Sequence, residues 1–133
     1  CSCPEALGIT EDAGAAYEKF SRVSAERDAC IRNAYENYDI LMGWGTDMDL
    51  GSMQANPYME WQTRKNRLGI SNLDLLKQAT INSAVLMGVD NKIGTVSVGK
   101  LADFIVVDGD PAADITAMYK KPVHVIKDGE VIR

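Results

Sequence analysis

The hydrophobic period of this chain changes at Gly88, and that change constrains the fold more than any other feature. Before Gly88, apolar and small residues recur at helical spacing, with Ser71 as the N-cap and Asp74 at the third helical position. After Gly88, short apolar runs are separated by glycine-containing turns, as β-strands are. The pattern predicts a mixed α/β fold in which a helix that ends at Gly88 precedes a small sheet. The predicted buried stripe of this helix contains Leu76, Ala79, Thr80, Ser83, Ala84 and Met87.

The remaining elements are predicted from the same two patterns. Apolar residues at helical spacing indicate a long amphipathic helix near the start of the chain, with Cys30 on its buried face. Asp128-Gly129 between two alternating runs is a typical two-residue hairpin turn. In chain order we predict a helix at 11–37, a buried strand at 40–42, a loop at 48–60, a helix at 58–67, strands at 94–99 and 104–107, a short helix at 114–119 and a hairpin at 123–132.

Size, charge and histidine content exclude several functional classes. The chain has 133 residues, a net charge of -5 and 1 His. The acidic balance and the lack of a basic patch argue against a nucleic-acid partner. No apolar run approaches the roughly 20 residues that span a bilayer, so no membrane partner is expected. With His124 as the only histidine, this chain alone cannot build a His-rich metal site.

The cysteines and the first residue bear on the origin of the chain. The 3 cysteines, Cys1, Cys3 and Cys30, have irregular spacing and form no disulfide framework. This usage favours a reducing cytoplasm. Because the chain opens with Cys1 rather than Met, we expect it to be a piece of a longer protein.

Asp47 is the main candidate for a functional side chain. It ends the run Gly45-Thr46-Asp47, which follows the predicted strand at 40–42. Catalytic groups commonly lie at the C-terminal ends of barrel or parallel strands. An ionised aspartate there can bind a cation or act as a general base. From these three residues alone, a cap on the following segment is the simpler interpretation.

Other polar residues have structural interpretations. An acidic series in the second half of the chain lacks the spacing and the final Glu of a calcium loop. Its members are therefore expected to accept hydrogen bonds from backbone N–H groups in turns. His124 lies between two valines of the predicted hairpin and is expected to pack there or lie at an edge. The acidic series is Asp103, Asp108, Asp110 and Asp114.

The run from Gly94 to Asp108, Gly-Thr-Val-Ser-Val-Gly-Lys-Leu-Ala-Asp-Phe-Ile-Val-Val-Asp, resembles the C-terminal signature of the amidohydrolase superfamily. Residues 75–84, with their Ala-Thr-Ile-Asn-Ser-Ala run, resemble that family's last barrel helix. Gly45-Thr46-Asp47 resembles the end of its eighth barrel strand, and residues 125–129 resemble its ending. The resemblance covers roughly residues 38–133, is specific because the motifs occur in order, and is greatest to the imidazolonepropionase- and prolidase-like branch.

This resemblance implies a fold. Residues 1–88 would be the C-terminal part of a metal-dependent hydrolase barrel, with its last strand and helices. Residues 89–133 would be a segment of a composite β-sandwich domain. A complete (β/α)₈ TIM barrel needs about 250 residues, so this chain would hold only part of one. We therefore expect it to associate with the missing N-terminal part of the same protein, or with a second copy as a homo-oligomer, through apolar faces left uncovered.

The resemblance also implies a chemistry. It is the hydrolysis of a C–N bond in a small-molecule amide, cyclic amide or dipeptide by a metal-activated water. Asp47 would take the role of the family's strand-eight aspartate, which ligates a catalytic metal, usually zinc, and shuttles a proton. The family's other ligands, a His-x-His pair, a Lys or Glu and two further His, have no match in this chain. The isolated chain is therefore expected neither to bind the metal nor to be active.

Two alternatives rest on other residues. A non-catalytic binding or self-associating module would use the loop at 48–62, whose methionines and aromatic residues suit an adaptable contact surface. Their place just after Asp47 favours instead the substrate mouth of the parent enzyme. A metal-binding protein would use Cys1, Cys3 and an acidic group, but no closed set of four ligands can be drawn. The loop residues in question are Met48, Met53, Tyr58, Met59 and Trp61.

Overall fold

The computed structural model describes residues 9–47 and 50–133. The predicted roles of Cys1, Cys3 and Met48 lie outside the described residues. Two compact units make up the described chain. The first contains the residues up to Ile40 together with Thr46–Ile70, and the second contains Leu41–Gly45 and Ser71–Arg133.

Helix α1, Ala15–Asn37, dominates the first unit and follows a single 3₁₀ turn at Glu11–Ala13. This confirms the helix predicted at 11–37. The centre of its buried face is polar, since Ser24 and Asp28 are the buried residues. The prediction that Cys30 lies on the buried face is wrong, because Cys30 is exposed. Each residue turns the helix by about 100°, so Cys30 points nearly opposite to Asp28.

Two shorter helices follow in the first unit. Helix α2 spans Leu50–Ala55, where the sequence predicts a loop. Its six residues are too few to show a helical period, and it ends just before Asn56 and Pro57. Helix α3, Met59–Gln62, continues into a π-helical turn at Thr63–Arg67. These two segments confirm the helix predicted at 58–67.

The second unit is built on one continuous helix with an irregular centre. It starts as α4, Asn72–Lys77, passes through a π-helical segment at Gln78–Asn82 and ends as α5, Ser83–Leu86. The Asp74 N–H donates to the Ser71 hydroxyl oxygen over 3.1 Å, which confirms the predicted N-cap.

The C-terminus of this helix is also as predicted. Gly88 adopts φ +69°, a left-handed conformation that costs glycine little. The Val89 N–H donates to the Ala84 carbonyl and the Gly88 N–H to the Val85 carbonyl, each over 2.9 Å. These two bonds form a Schellman motif, which satisfies carbonyls that the last helical turn leaves open.

The buried face of this helix differs from the predicted stripe. The residues buried here are Leu75, Gln78 and Ala84. Thr80 is exposed, and 64% of the Met87 surface is exposed to solvent. The π-helical segment adds a residue to one turn and so rotates the later residues relative to a regular helix. The predicted stripe is therefore confirmed at Ala84 and wrong at Thr80 and Met87.

A three-stranded antiparallel sheet completes the second unit. Its strands are β1, Phe104–Val106, β2, His124–Lys127, and β3, Glu130–Val131, in the order β1-β2-β3. The β2–β3 turn has Asp128 at φ +51° and Gly129 at φ +83°. Positive φ at both positions is the type I′ geometry, so the predicted hairpin is confirmed.

Two predicted strands are absent from the described residues. The segments at 40–42 and 94–99 form no ladder, and Val96 and Val98 are 91% and 106% exposed. The residues of β1 are exposed too, although the sequence predicts a buried strand. An isolated apolar run forms a strand only beside a partner strand, and the described sheet offers none to these two segments.

Two further predictions concern the domain boundary and membrane-spanning segments. The predicted boundary between 1–88 and 89–133 refers to a larger parent fold and stays a prediction. None of the helices within residues 9–47 and 50–133 combines the length and apolar character needed to cross a membrane.

Candidate functional site

Asp47 lies at the end of an irregular segment and is exposed. Its backbone has φ +49°, which is in the left-handed region. Aspartate is one of the few non-glycine residues that adopt this conformation, at a cost of about 1 kcal/mol.

The segment just before Asp47 is bound by side chains of the α4–α5 helix. The Asn82 side-chain amide donates to the Met42 carbonyl over 3.0 Å. The Trp44 N–H donates to the Ser83 hydroxyl oxygen over 2.8 Å. Two backbone groups, one on each side of Gly43, are thus fixed to consecutive helical residues.

Gly43 lets the segment approach the helix closely. A Cβ atom at this position would lie 2.5 Å from Leu86 Cδ1 and 3.4 Å from Ser83 Oγ. The first distance is shorter than any ordinary contact, so a side chain here would displace Leu86 or the segment itself. The glycine therefore belongs with the two hydrogen bonds as part of one close contact.

The Ser83 hydroxyl is oriented by a second bond. It donates to the Gln78 carbonyl over 2.7 Å, within the π-helical segment. Because its hydrogen is committed to Gln78, its lone pairs are available to the Trp44 N–H. The sequence places Asn82 and Ser83 in a helix, with Ser83 in the predicted buried stripe, but predicts for neither a bond to the segment before Asp47. The available signal was a polar pair in the middle of an amphipathic helix.

The carboxylate of Asp47 is an oxygen donor of the type that zinc and other divalent cations accept. Within residues 9–47 and 50–133, no group of three His, Cys, Asp or Glu side chains is placed to hold a metal ion. His124 is exposed, and its Nδ1 lies 3.3 Å from the Arg133 carbonyl oxygen. The donor chemistry of Asp47 thus fits one position of a metal site, whose other ligands are not found among the described residues.

Two members of the acidic series, Asp110 and Asp114, make turns as predicted. Asp110 accepts from the Ala112 N–H over 2.9 Å. Asp114 accepts from the Thr116 N–H over 2.9 Å and from its hydroxyl over 2.8 Å, and these bonds lower the pKa of the Asp114 carboxyl. Asp108 makes a long, exposed ion pair of 3.8 Å with Lys120.

Asp103 fastens the hairpin turn to the strand beside it. Its carboxylate accepts from the Asp128 N–H over 2.8 Å and from the Lys127 ammonium over 2.7 Å. The bond from the Asp128 N–H, followed by that from Lys127, holds the pKa of the Asp103 carboxyl below its ordinary 3.8. The same carboxylate, with the Asp128 side chain, raises the pKa of Lys127.

The first unit contains buried charges that the sequence does not predict. Asp28 forms ion pairs of 2.6 Å with both Arg27 and Arg67. Glu60 and Arg64 are both buried and pair over 2.5 Å. Each of these charged residues lies in a helix or a helical turn. Only the fold reveals which of them are buried.

An apolar groove crosses the second unit between the helix and the sheet. Its volume is about 540 Å³. Ala79, Ser83 and Met87 line it from the helix, and Ile93, Phe104 and Ile126 line it from the loop and sheet. Four residues of the predicted helical stripe thus line this groove rather than a closed core: Ala79, Thr80, Ser83 and Met87.

The sequence model of the amidohydrolase family matches residues 6–132. Imidazolonepropionase of Sphingopyxis alaskensis is 38% identical over 64 residues, which is 47% of this chain and 16% of that protein. N-acetylglucosamine-6-phosphate deacetylase of Caenorhabditis elegans is 33% identical over 84 residues, which is 63% of this chain and 20% of that protein.

Among solved structures, a prolidase in complex with N-methylphosphonate-L-proline has a similar fold. The TM-score is 0.70 at 28% sequence identity, and the match covers 95% of this chain and 30% of that one. The chain therefore spans less than a third of the length of each of these three proteins. The family match covers nearly all of the sequence. The chain belongs to the amidohydrolase family.

Proposed function

We propose that this chain is the C-terminal part of a metal-dependent hydrolase that cleaves C–N bonds in amides, cyclic amides or dipeptides. The observation that carries the proposal is the family match over residues 6–132, within which Asp47 ends the segment bound by Asn82 and Ser83. In this proposal the chain contributes the last strand and helices of a TIM barrel and part of a β-sandwich. The protein would act in the cytoplasm.

Asp47 has two roles in the proposed mechanism. A divalent cation, zinc or another, would supply the Lewis acidity that polarises the scissile carbonyl and lowers the pKa of a water. One carboxylate oxygen of Asp47 would serve as a ligand to it. The carboxylate would also accept a proton from the attacking water and return it to the leaving nitrogen. The exposed side chain of Asp47 is accessible for both roles.

The other ligands and most of the substrate contacts would come from the rest of the parent protein. The N-terminal part of that protein is therefore the proposed partner of this chain, and the isolated chain is not expected to catalyse. The exposed valines of the 94–99 segment and the apolar groove support such a partner, because a folded parent would cover them.

The experiment uses the parent protein, purified with its metal. Metal content is measured by mass spectrometry. Hydrolysis is assayed on Xaa-Pro dipeptides, imidazolonepropionate and an N-acetylated amino sugar phosphate, which are substrates suggested by the names of the three similar proteins. A chelator is expected to abolish hydrolysis, and added metal to restore it. Asp47→Asn is expected to lower kcat by at least about 100-fold, since it removes a proton-transfer group and a charged ligand.

Asp39→Asn is the matched control. Asp39 is also exposed and precedes the segment that Asp47 ends, so its replacement should leave metal content and kcat unchanged. Full activity of Asp47→Asn, or full activity of the wild type without metal, would overturn the proposal.

The same exposed residues favour a second candidate, a non-catalytic module that associates with copies of itself. Val96 and Val98 are almost completely exposed, and self-association would bury them. Sedimentation of the 133-residue chain distinguishes the candidates. A stable dimer without metal or hydrolysis would support the module.

A further inference from the structure

We infer that Asn82 and Ser83 are positioning residues for Asp47, which they hold through the backbone of the segment before it. The inference rests on the proposed function, in which Asp47 is a metal ligand. Asn82 binds the Met42 carbonyl over 3.0 Å, and Ser83 binds the Trp44 N–H over 2.8 Å. Neither side chain needs to touch the metal or the substrate to act in this way.

The two bonds constrain the segment more than either would alone. One bond fixes a carbonyl and the other an N–H, and the two groups belong to residues 42 and 44. Together they fix both the position of the segment along the helix and its rotation about its own axis. Only Gly45 and Thr46 lie between Trp44 and Asp47, so the Asp47 Cα is within about 11 Å of the anchored Trp44 Cα.

The helix is shaped for this contact. The π-helical segment Gln78–Asn82 ends where the bonds to Met42 and Trp44 are made. Such segments widen a helix, cost stability and often occur at functional sites. Here the Gln78 carbonyl, at the start of that segment, accepts from the Ser83 hydroxyl over 2.7 Å, and that bond leaves the hydroxyl oxygen to accept from the Trp44 N–H.

Ligands of a metal site bind tightly only when their supports hold them in place. Removing such a support commonly weakens metal affinity or activity by 10–100-fold. Asn82→Ala and Ser83→Ala are therefore expected to lower the metal affinity of the parent enzyme by about 10–100-fold each. Ser83→Ala is the safer variant for folding, since alanine favours a helix.

The test uses the parent enzyme loaded with Co²⁺, whose visible absorption reports the geometry of its ligands. The affinity for Co²⁺ is measured by competition with a chelator, and kcat and KM are measured separately. We expect a changed absorption spectrum, weaker Co²⁺ binding and a lower kcat with KM nearly unchanged. Ser83→Thr keeps the hydroxyl and is expected to restore all three.

Two residues of the same helix are matched controls. The Asn72 amide donates to the Ala112 and Ala113 carbonyls over 3.1 Å, so Asn72→Ala removes an asparagine anchor from a different segment. The Thr80 hydroxyl donates to its own helix at Leu76 over 2.6 Å, so Thr80→Val removes a hydroxyl that does not touch the Met42–Trp44 segment. Both variants should keep the wild-type spectrum and affinity.

The outcomes separate this inference from the proposed function. If Asp47→Asn loses the metal while Asn82→Ala and Ser83→Ala keep the wild-type spectrum and affinity, the positioning inference is wrong and the proposed function stands. If Asn72→Ala changes the spectrum as much as Asn82→Ala does, the effect is general to the helix and the inference is also wrong. If the wild type binds no Co²⁺ and Asp47→Asn has no effect, the proposed function itself fails.

Discussion

Gly94 and Gly99 share a backbone conformation but differ in their surroundings. Their φ angles are +92° and +90°, a region in which L-residues with side chains are strained. A Cβ atom on Gly94 would lie 2.8 Å from the Ala84 Cβ and 3.0 Å from the Ile81 Cα, whereas nothing lies within 4 Å of one on Gly99. The pair therefore separates backbone strain from steric contact.

We predict that Gly99→Ala lowers the free energy of unfolding of the parent protein by about 1–2 kcal/mol, from strain alone. Gly94→Ala should cost about 1–3 kcal/mol more, because Ala84 and the backbone at Ile81 cannot move aside without disturbing the helix. Chemical denaturation of both variants measures the difference. Equal losses would mean that the loop at Gly94 does not press on the helix.

Asp103 gives a prediction about pH. Because the pKa of its carboxyl is lowered in the folded chain, its contribution to stability is present above the ordinary value of 3.8 and is lost as pH falls through the lower, folded value. The stability difference between wild type and Asp103→Asn is therefore expected to be constant from pH 7 to 5 and to shrink below pH 4. Urea denaturation of the metal-free parent at each pH measures it.

Asp103→Ala is the control for that experiment. Asparagine keeps an acceptor for the Asp128 N–H, and alanine removes it. Since neither replacement titrates, the difference between the two variants should not depend on pH. A wild-type advantage that persists unchanged at pH 3 would contradict the assignment of the ionised Asp103 to this contact.

At the scale of elements, the buried carboxylate of Asp28 connects α1 to the end of the π-helical turn after α3. Arg67 approaches it to 2.6 Å, and the Arg67 carbonyl in turn accepts from Arg32 over 2.6 Å. Removing Arg67 leaves a buried charge with one fewer partner, a change that commonly costs more than the pair itself contributes.

Arg67→Ala is expected to destabilise the parent protein by about 1–3 kcal/mol, less than for a fully buried pair because the Arg67 side chain is 34% exposed. Asp28→Asn removes the charge that Arg67 neutralises. The double variant should therefore lose at least about 0.5 kcal/mol less free energy of unfolding than the sum of the losses in the two single variants. Additive losses in such a double-mutant cycle would show that the pair contributes no coupling.

Elements with local signals could be predicted from the sequence, and elements that need distant partners could not. Ser71 and Gly88 mark the ends of a helix by chemistry within a few residues of themselves, and Asp128-Gly129 does the same for the hairpin. The apolar runs at 40–42 and 94–99 look like strands but form none among the described residues, because strand pairing is not a local property. The π-helical segment had no signal in the spacing either.

The same distinction applies to the candidate site. Asp47 could be singled out because its place in an ordered set of motifs is a property of sequence. Asn82 and Ser83 could not be singled out, because their role depends on hydrogen bonds to a distant segment. The bonded residues are 40 positions apart for Asn82 and 39 for Ser83. The burial of Asp28 and Glu60 could not be predicted either, since burial of a charge follows from packing and not from its neighbours in sequence.

At the scale of the whole molecule, exposure identifies the surface that the proposed partner would cover. Val96 and Val98 are 91% and 106% exposed, and Ser97 between them is exposed as well. In a strand, alternate residues face the same side, so the two valines would enter a core together while Ser97 would face away. If the N-terminal part of the parent protein supplies the missing strand partner, the segment would pair with it and bury both valines.

The last prediction follows from that geometry. When the 133-residue chain is produced together with the separately encoded N-terminal part, the two should copurify. Val96→Asp with Val98→Asp should reduce the complex by at least about 10-fold, since burying an unpaired charge costs more than the 1.4 kcal/mol that a tenfold change represents. Ser97→Asp places the same charge on the opposite side and should leave the complex intact. Because both valines are exposed in the chain by itself, the double substitution should not change the circular dichroism of the isolated chain. An intact complex with both aspartates in place would show that this segment does not pair with the N-terminal part, and the exposed valines would then support the self-associating module.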